Sequence, residues 1–308
     1  MTAELPVSLV GRRVHVRVPA TSANLGPGFD TLGLALALYD DLNVEVIDAG
    51  IEVRVHGVGA GEVPTDASHL VVRSIAHTFA RYGYALPGLR LEATNAIPHG
   101  RGLGSSGAAI VAGVMAATGL LAGIVEIGEN DALAIATELE GHPDNVAPAL
   151  FGGLTIAWVT PEGPQHKKLM VHRGVSPVVF VPEHVMSTAL ARSLQPLSVP
   201  HEDAVFNVSR SALLVAALIQ SPELLVAATE DKLHQNYRAA AMPETNRLIT
   251  ALRAEGFAAV VSGAGPSILV LGSDPSQRLG AAELVARESE TPWQALLLAV
   301  DFKGATLD

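Results

Sequence analysis

The chain has 308 residues, 49% hydrophobic and 17% charged, enough apolar content for a packed core and too little charge for a disordered chain. Twenty basic residues stand against 31 acidic ones, a net charge of −11, and aromatics are only 4%. That balance argues against nucleic acid and against anionic membrane surfaces as partners. The absence of cysteine excludes disulfides and thiolate metal sites and fits a reducing cytoplasm. Met1–Pro6 lacks the basic and apolar regions of a signal peptide.

Residues 13–19 alternate polar and apolar, which predicts a half-buried strand. Residues 42–48 and 51–57 alternate again and read as a paired set. Helical spacing covers 68–82, and 89–94 reads as a strand. A glycine-rich loop then leads into an uncharged stretch from Gly107 to Val125. This stretch has the length of a membrane span, but it is mainly Ala and Gly and has no aromatic belt. A buried core helix is the better reading. A second helix is expected over 130–140. Past Gly152-Gly153, strands are expected at 154–159 and 177–182 and helices at 203–219, 222–230 and 243–255. Two apolar strands flank the turn 263–267, and a helix at 276–290 and a strand at 294–300 close the chain. Strands and helices mix without strict alternation, which predicts an α+β fold. A boundary is expected near 155–170, taken as domains 1–160 and 161–308.

Four segments carry the chemistry. The first is Pro98-His-Gly-Arg-Gly-Leu-Gly-Ser-Ser-Gly107. Its alternating glycines allow a concave nest of amide N–H groups, and the following helix aims its positive end at the same place. A polyphosphate fits there, with the hydroxyls of Ser105 and Ser106 within reach of a phosphate oxygen or a magnesium ion. Gly102–Gly107 also matches the dinucleotide pattern GxGxxG. However, about seven residues separate it from the preceding strand, which disfavours an oxidoreductase. No lysine precedes Lys167, so the segment is not a Walker A loop.

The second segment runs from Pro19 to Asp30, where Asn24 and Asp30 offer an amide and a carboxylate, the latter suited to an ammonium group. The third, Glu138-Leu-Glu-Gly-His-Pro-Asp-Asn-Val-Ala-Pro148, crowds polar groups at a helix end. Glu140 suits magnesium, His142 and Asn145 suit a substrate, and Asp144 suits a hydroxyl proton. A plain helix cap followed by a turn is the bland alternative. The fourth is Ser262-Gly-Ala-Gly-Pro-Ser267, either a tight hairpin or a point where backbone approaches a ligand. Arg192 and Arg238 sit in less polar surroundings than a surface arginine would choose, and each can grip a carboxylate at two points.

In this order the segments resemble the GHMP small-molecule kinases, and among them the homoserine kinases. The carriers are Ala20–Asp30, Ile97–Gly107, Glu140–Pro148 and Ser262–Ser267. The resemblance implies a two-domain GHMP fold, an N-terminal domain like ribosomal S5 domain 2 and a ferredoxin-like C-terminal one. It also implies a cytoplasmic homodimer that phosphorylates the side-chain hydroxyl of L-homoserine, a step of threonine biosynthesis. ATP would lie on Pro98, His99, Gly100, Arg101, Gly102, Leu103, Gly104, Ser105, Ser106 and Gly107, with Mg2+ on Ser106 and Glu140. Asn24, Asp30, His142, Asn145, Arg192 and Arg238 would hold homoserine, Asp30 taking its ammonium and the arginines its carboxylate. Thr188 would lie near the moving phosphate, and Asp144 would position rather than accept a proton. Glu138 competes in sequence with Glu140. His69 stands where the family often has asparagine, which leaves one purine contact open. A mevalonate-type kinase and a silent nucleotide sensor are the other readings of these segments.

Overall fold

The computed structural model describes residues 8–308, so the opening Met1–Pro6 lies outside the described residues. The first unit runs β1 (Arg13–Ala23), β2 (Leu32–Ile47), β3 (Ile51–Gly57), α1 (Leu70–Arg81), β4 (Gly88–Asn95), α2 (Ser105–Leu120), α3 (Glu129–Glu140), α4 (Pro143–Phe151), β5 (Leu154–Thr160) and β6 (Gly163–Leu169). Its sheet has the order β1-β2-β4-β3, with β5 pairing the start of β2 and β6 pairing β5. In β1, Val14, Val16 and Val18 face the core while Arg13, His15 and Arg17 face outward, as a period of two requires. The register slips between Pro19 and Ala20. Proline cannot donate to the ladder, so a bulge is the natural place for it. Beyond the bulge β1 is buried throughout and becomes the floor of the site.

The expected pairing of residues 42–48 with 51–57 is corrected here. β4 lies between them, antiparallel to β2 with Leu42 opposite Ala93, and parallel to β3 with Val53 opposite Leu91. Alternation tells which face a side chain takes, not which strand lies beside it.

Helix α2 is apolar on all sides because it is enclosed on all sides. It packs on β1 and against α1, α3 and α4, and ten of its sixteen residues are buried. Among the described residues, no helix is long and apolar enough to cross a membrane. Helix α3 stops at Gly141, whose φ of 94° is left-handed and favours glycine. His142 then caps α4, and Pro143 occupies its first turn, where its missing N–H costs nothing. The segment, for which a cap and turn was the bland alternative, therefore turns the corner into a second helix.

The second unit runs β7 (Ser176–Pro182), α5 (Thr188–Ser193), α6 (His201–Ile219), α7 (Leu225–Ala228), α8 (Gln235–Arg238), α9 (Pro243–Ala254), β8 (Ala259–Val261), β9 (Ile268–Gly272), α10 (Ser276–Glu288) and β10 (Trp293–Leu297). The helix expected over 222–230 is a 3-10 turn at Pro222–Leu224 followed by the single turn of α7. The sheet order β10-β7-β9-β8, all antiparallel, with helices between the first and second and between the third and fourth strands, is the ferredoxin-like arrangement. A last strand, β11 (Thr306–Leu307), returns to pair β1. The chain changes sheets after Leu169, within the expected 155–170 interval, so a division placed at residue 160 falls inside the β5–β6 hairpin. The two units share one apolar core, in which Val179 and Leu269 join Val16 and Ile110. Each fully buried side chain of this kind contributes roughly 1.5–3 kcal/mol.

Candidate active site

The glycine loop lies between β4 and α2, and two of its glycines touch other segments closely. At Gly102 (φ 72°) an added Cβ would lie 2.1 Å from the Ser262 carbonyl oxygen; at Gly104 (φ 70°) it would lie 1.9 Å from Thr21 Oγ1. Any side chain there would push the loop off the floor made by β1 and the β8–β9 turn. Gly104 caps α2, and the first amides of that helix have no carbonyl one turn back to bond. They leave a positive helix end at the cleft.

Ser262 ties three segments together: its Oγ donates its one proton to the Gly102 carbonyl at 2.7 Å and accepts from Ser22 Oγ at 2.9 Å. The turn 263–267 is thus a hairpin whose backbone also lines the cleft, at Gly263 and Ala264. Asn24 donates to the Gly263 carbonyl at 2.9 Å and accepts from the Asp30 amide at 3.0 Å. Asn24, Leu25 and Asp30 all have positive φ, an uncommon conformation that these contacts maintain.

Ser106 Oγ donates to Glu140 Oε2 at 2.9 Å. Burial raises the Glu140 carboxyl above the ordinary glutamate range, and the Ser106 hydroxyl partly opposes this. Glu138 instead accepts from Arg81 at 3.0 Å on the outer side, so only Glu140 adjoins the loop. No closed cluster of three His, Asp or Glu exists among the described residues, and magnesium needs none. It keeps waters and takes one or two protein oxygens together with substrate phosphates. A hydroxyl and a carboxylate at the loop's mouth are hard oxygen donors that fit it.

His142 hydrogen-bonds through Nδ1 to Asp144, which is 2% exposed. Burial works against the charged imidazole, but the bond to Asp144 and its charge prevail, so the His142 pKa is raised. Asn145 accepts from Thr21 Oγ1 at 3.0 Å. Arg238 is 2% exposed, donates to the Ala191 and Gly263 carbonyls and sits 5.2 Å from the Phe29 ring centroid. Burial pulls its guanidinium below the usual arginine range. Arg192 differs from expectation: its side chain is 40% exposed, and it pairs with Asp30. Thr188 opens α5 behind the Ser187 cap.

These groups line one cavity of about 150 Å³. A second, of about 320 Å³, adjoins it at Gly100, Ser105 and Ser106 and is walled by Val63, Pro64, His69, Leu70, Ala108 and Ala112. Burial, with His99 nearby, holds His69 below the usual histidine range. The result is an apolar slot and a polar pocket joined at a phosphate-shaped loop.

The GHMP kinases N terminal domain model matches residues 69–153, and the GHMP kinases C terminal model matches 213–288. A homoserine kinase of Clavibacter michiganensis subsp. michiganensis is 76% identical over 298 residues, covering 96% of this chain and 94% of the relative. The chain belongs to the homoserine kinases of the GHMP family. A homoserine kinase of Leifsonia xyli subsp. xyli is 74% identical, covering 98% of this chain and 94% of its own. A crystal structure of homoserine kinase from Cytophaga hutchinsonii superposes with a TM-score of 0.83 at 28% identity, covering 96% and 97% of the two chains.

Of the loop residues expected at the nucleotide, Arg101 and Leu103 line the polar pocket while their side chains are anchored elsewhere, and Gly107 lines neither cavity. Arg101 bonds the carbonyls of Pro182, His99 and Glu183 and fastens the loop to the second unit. The Leu103 side chain is buried in the core. Gly107 abuts Asn145 and Val146 rather than either cavity. Phe29 lines the polar pocket, and Thr21 and Ser22 lie beneath it, bonded to Asn145 and Ser262; the motifs gave none of the three a role. Thr21 and Ser22 stood inside Ala20–Asp30 as small residues with no visible partner, and Phe29 carried no polar group to mark it.

Proposed function

We propose that the chain transfers the terminal phosphoryl group of Mg-ATP to the side-chain hydroxyl of L-homoserine, giving O-phospho-L-homoserine for threonine synthesis. One observation carries this reading. The apolar slot and the polar pocket meet at Ser105–Ser106, and the polar pocket sets the Asp30 carboxylate beside the Arg192 and Arg238 guanidinium groups. Adenine occupies the slot, the phosphates lie against Gly102–Ser106, and the amino acid fills the pocket.

Phosphoryl transfer passes through a loose transition state, so positioning and charge stabilisation dominate. Amides at the head of α2 bind the phosphate oxygens. Ser106 and Glu140 would hold the magnesium ion, which supplies positive charge to the phosphates when bound. Arg238 and Arg192 take the substrate carboxylate and Asp30 its ammonium, while Asn24, His142, Asn145 and Thr188 frame the hydroxyl end. Holding the hydroxyl in line removes on the order of 7 kcal/mol of barrier or more. A general base typically adds about 10²–10⁴-fold, so a chain that positions well can work without one. A cytoplasmic homodimer completes the proposal, testable by light scattering of the purified chain and fractionation of cells.

The deciding experiment measures ADP release from Mg-ATP with homoserine, mevalonate, galactose or no acceptor. Release with homoserine well above the others is expected. Equal release with and without acceptor would reject the reading.

A further inference from the structure

Behind the polar pocket lies a buried histidine that the phosphoryl-transfer chemistry does not use. His234 is 0% exposed. Its Nε2 lies 2.8 Å from the Gly26 carbonyl oxygen. A carbonyl can only accept, so Nε2 carries the proton. Nδ1 is buried without a partner among the described residues, and a second proton there would have no acceptor. The ring is therefore neutral and held in one tautomer. Asp231 fixes the backbone below it: its carboxylate accepts from the amides of Leu233, His234 and Gln235 at 2.8–3.0 Å.

The ring also stacks on Phe29, with centroids 4.9 Å apart and planes inclined by 19°. Phe29 is the residue before Asp30 and supports the Arg238 guanidinium. The loop from Asn24 to Asp30 holds three non-glycine residues at positive φ, and its carbonyls receive donors from the second unit. His234 reaches Gly26; Asn207 reaches Pro27 at 2.8 Å. A loop with that much local strain keeps its shape only where its surroundings determine it.

We propose that His234 is a positioning residue of the acceptor pocket, fixing the strained loop through Gly26 and Phe29 and so holding Asp30 and Arg238 in place for an amino acid's two charges. This rests on the reading of that pocket as the homoserine site.

The test separates the two contacts. His234→Phe keeps a ring against Phe29 and loses the donor; His234→Gln keeps an amide donor near the Nε2 position and loses the ring. The KM for homoserine is expected to rise about tenfold in His234→Phe, the order of one ordinary hydrogen bond. The KM for ATP should stay within about twofold, and His234→Gln should recover part of the loss. Direct calorimetric titration of homoserine into each protein gives the same ranking without turnover. A merely structural histidine would instead lower the active fraction, scaling kcat and leaving both KM values alone. That result, or equal increases in both KM values, overturns the proposal. If His234→Phe does not fold, His234→Ala, which removes ring and donor together, with an unchanged homoserine KM and affinity overturns it equally. A parent chain that neither turns over nor binds homoserine overturns the pocket's reading and this one with it. An active parent beside unaffected variants overturns this one alone.

Discussion

Arg192 and Asp30, 162 positions apart, meet at the cleft as a two-point ion pair, Nη2 to Oδ1 at 2.9 Å and Nη1 to Oδ2 at 3.2 Å. The side chains are 40% and 37% exposed, so water screens the pair and it stabilises the fold by less than about 1 kcal/mol. Its value lies in what replaces it. An α-amino acid carries an ammonium and a carboxylate on one carbon, and inserting it exchanges one ion pair for two of matching sign.

Asp30→Asn and Arg192→Ala should therefore damage recognition and spare stability. Each is expected to raise the KM for homoserine about tenfold or more while the KM for ATP stays within about twofold. Melting midpoints should move by no more than about 3 °C. The double variant should lose less than the product of the single losses, because the two groups act on one ligand. Additive losses would mean that the two side chains act independently rather than as a coupled pair.

This pair also marks the limit of what could be read from the chain alone. Composition and the run from Gly107 to Val125 disclosed α2, because an uncharged Ala-Gly helix must be enclosed. The nest at Gly102–Ser106 was legible because left-handed glycines and a helix start are local features. Partners were not local. The period-two pattern of residues 42–57 is satisfied whether or not β4 intervenes. Arg192 looks like a buried arginine in the sequence, yet its side chain is 40% exposed and its partner is Asp30, 162 positions away. Helix α4 escaped because Gly141, Pro143 and Pro148 all favour a turn. Gly141 and Pro143 also fit a helix corner, Pro148 lies inside α4 without an N–H to donate, and burial of Val146 and Ala147 in the core decides for the helix.

Glu140 sits 2.9 Å from the Ser106 hydroxyl, with its carboxyl raised by burial. A buried carboxylate without a cation is costly, which suits a group that acts when a metal-nucleotide complex arrives. Glu140→Gln keeps the shape and removes the charge. It is expected to lower kcat on the order of a hundredfold or more, with the homoserine KM changed only a few fold. Chelating divalent cations should abolish turnover of the parent chain, and added magnesium should restore it. Undiminished turnover in Glu140→Gln would move the cation's carboxylate elsewhere.

Asp144 is 2% exposed and bonded to His142, so its carboxylate is already committed to holding that ring. Asp144→Asn should lose less than about tenfold in kcat, because an amide oxygen still accepts from the imidazole. The loss should not depend on pH in the way that removal of a titrating base would. A fall of several orders of magnitude would identify Asp144 as the base that takes the hydroxyl proton.

The last expectation concerns acid stability. Burial lowers the His234 pKa, opposed by the charges of Asp231 and Asp30 and by the Gly26 carbonyl, and reinforced by Arg238. A histidine depressed in the folded state binds fewer protons there than in the unfolded chain between the two pKa values. Its contribution is fully present above the unfolded value of about 6.5 and is lost as pH falls through the folded one. His69 and His166 are shifted the same way by burial. His142 is shifted upward, so its contribution is present at low pH and lost as pH rises. Thermal melting of parent and His234→Phe should be compared from pH 8 down to pH 5. Because His142 contributes equally to both proteins, the difference between the two curves isolates position 234. The parent should lose stability faster on acidification than the variant, and the gap should narrow as pH falls. Parallel curves across that range would show that the buried imidazole takes up its proton as readily in the folded chain as in the unfolded one.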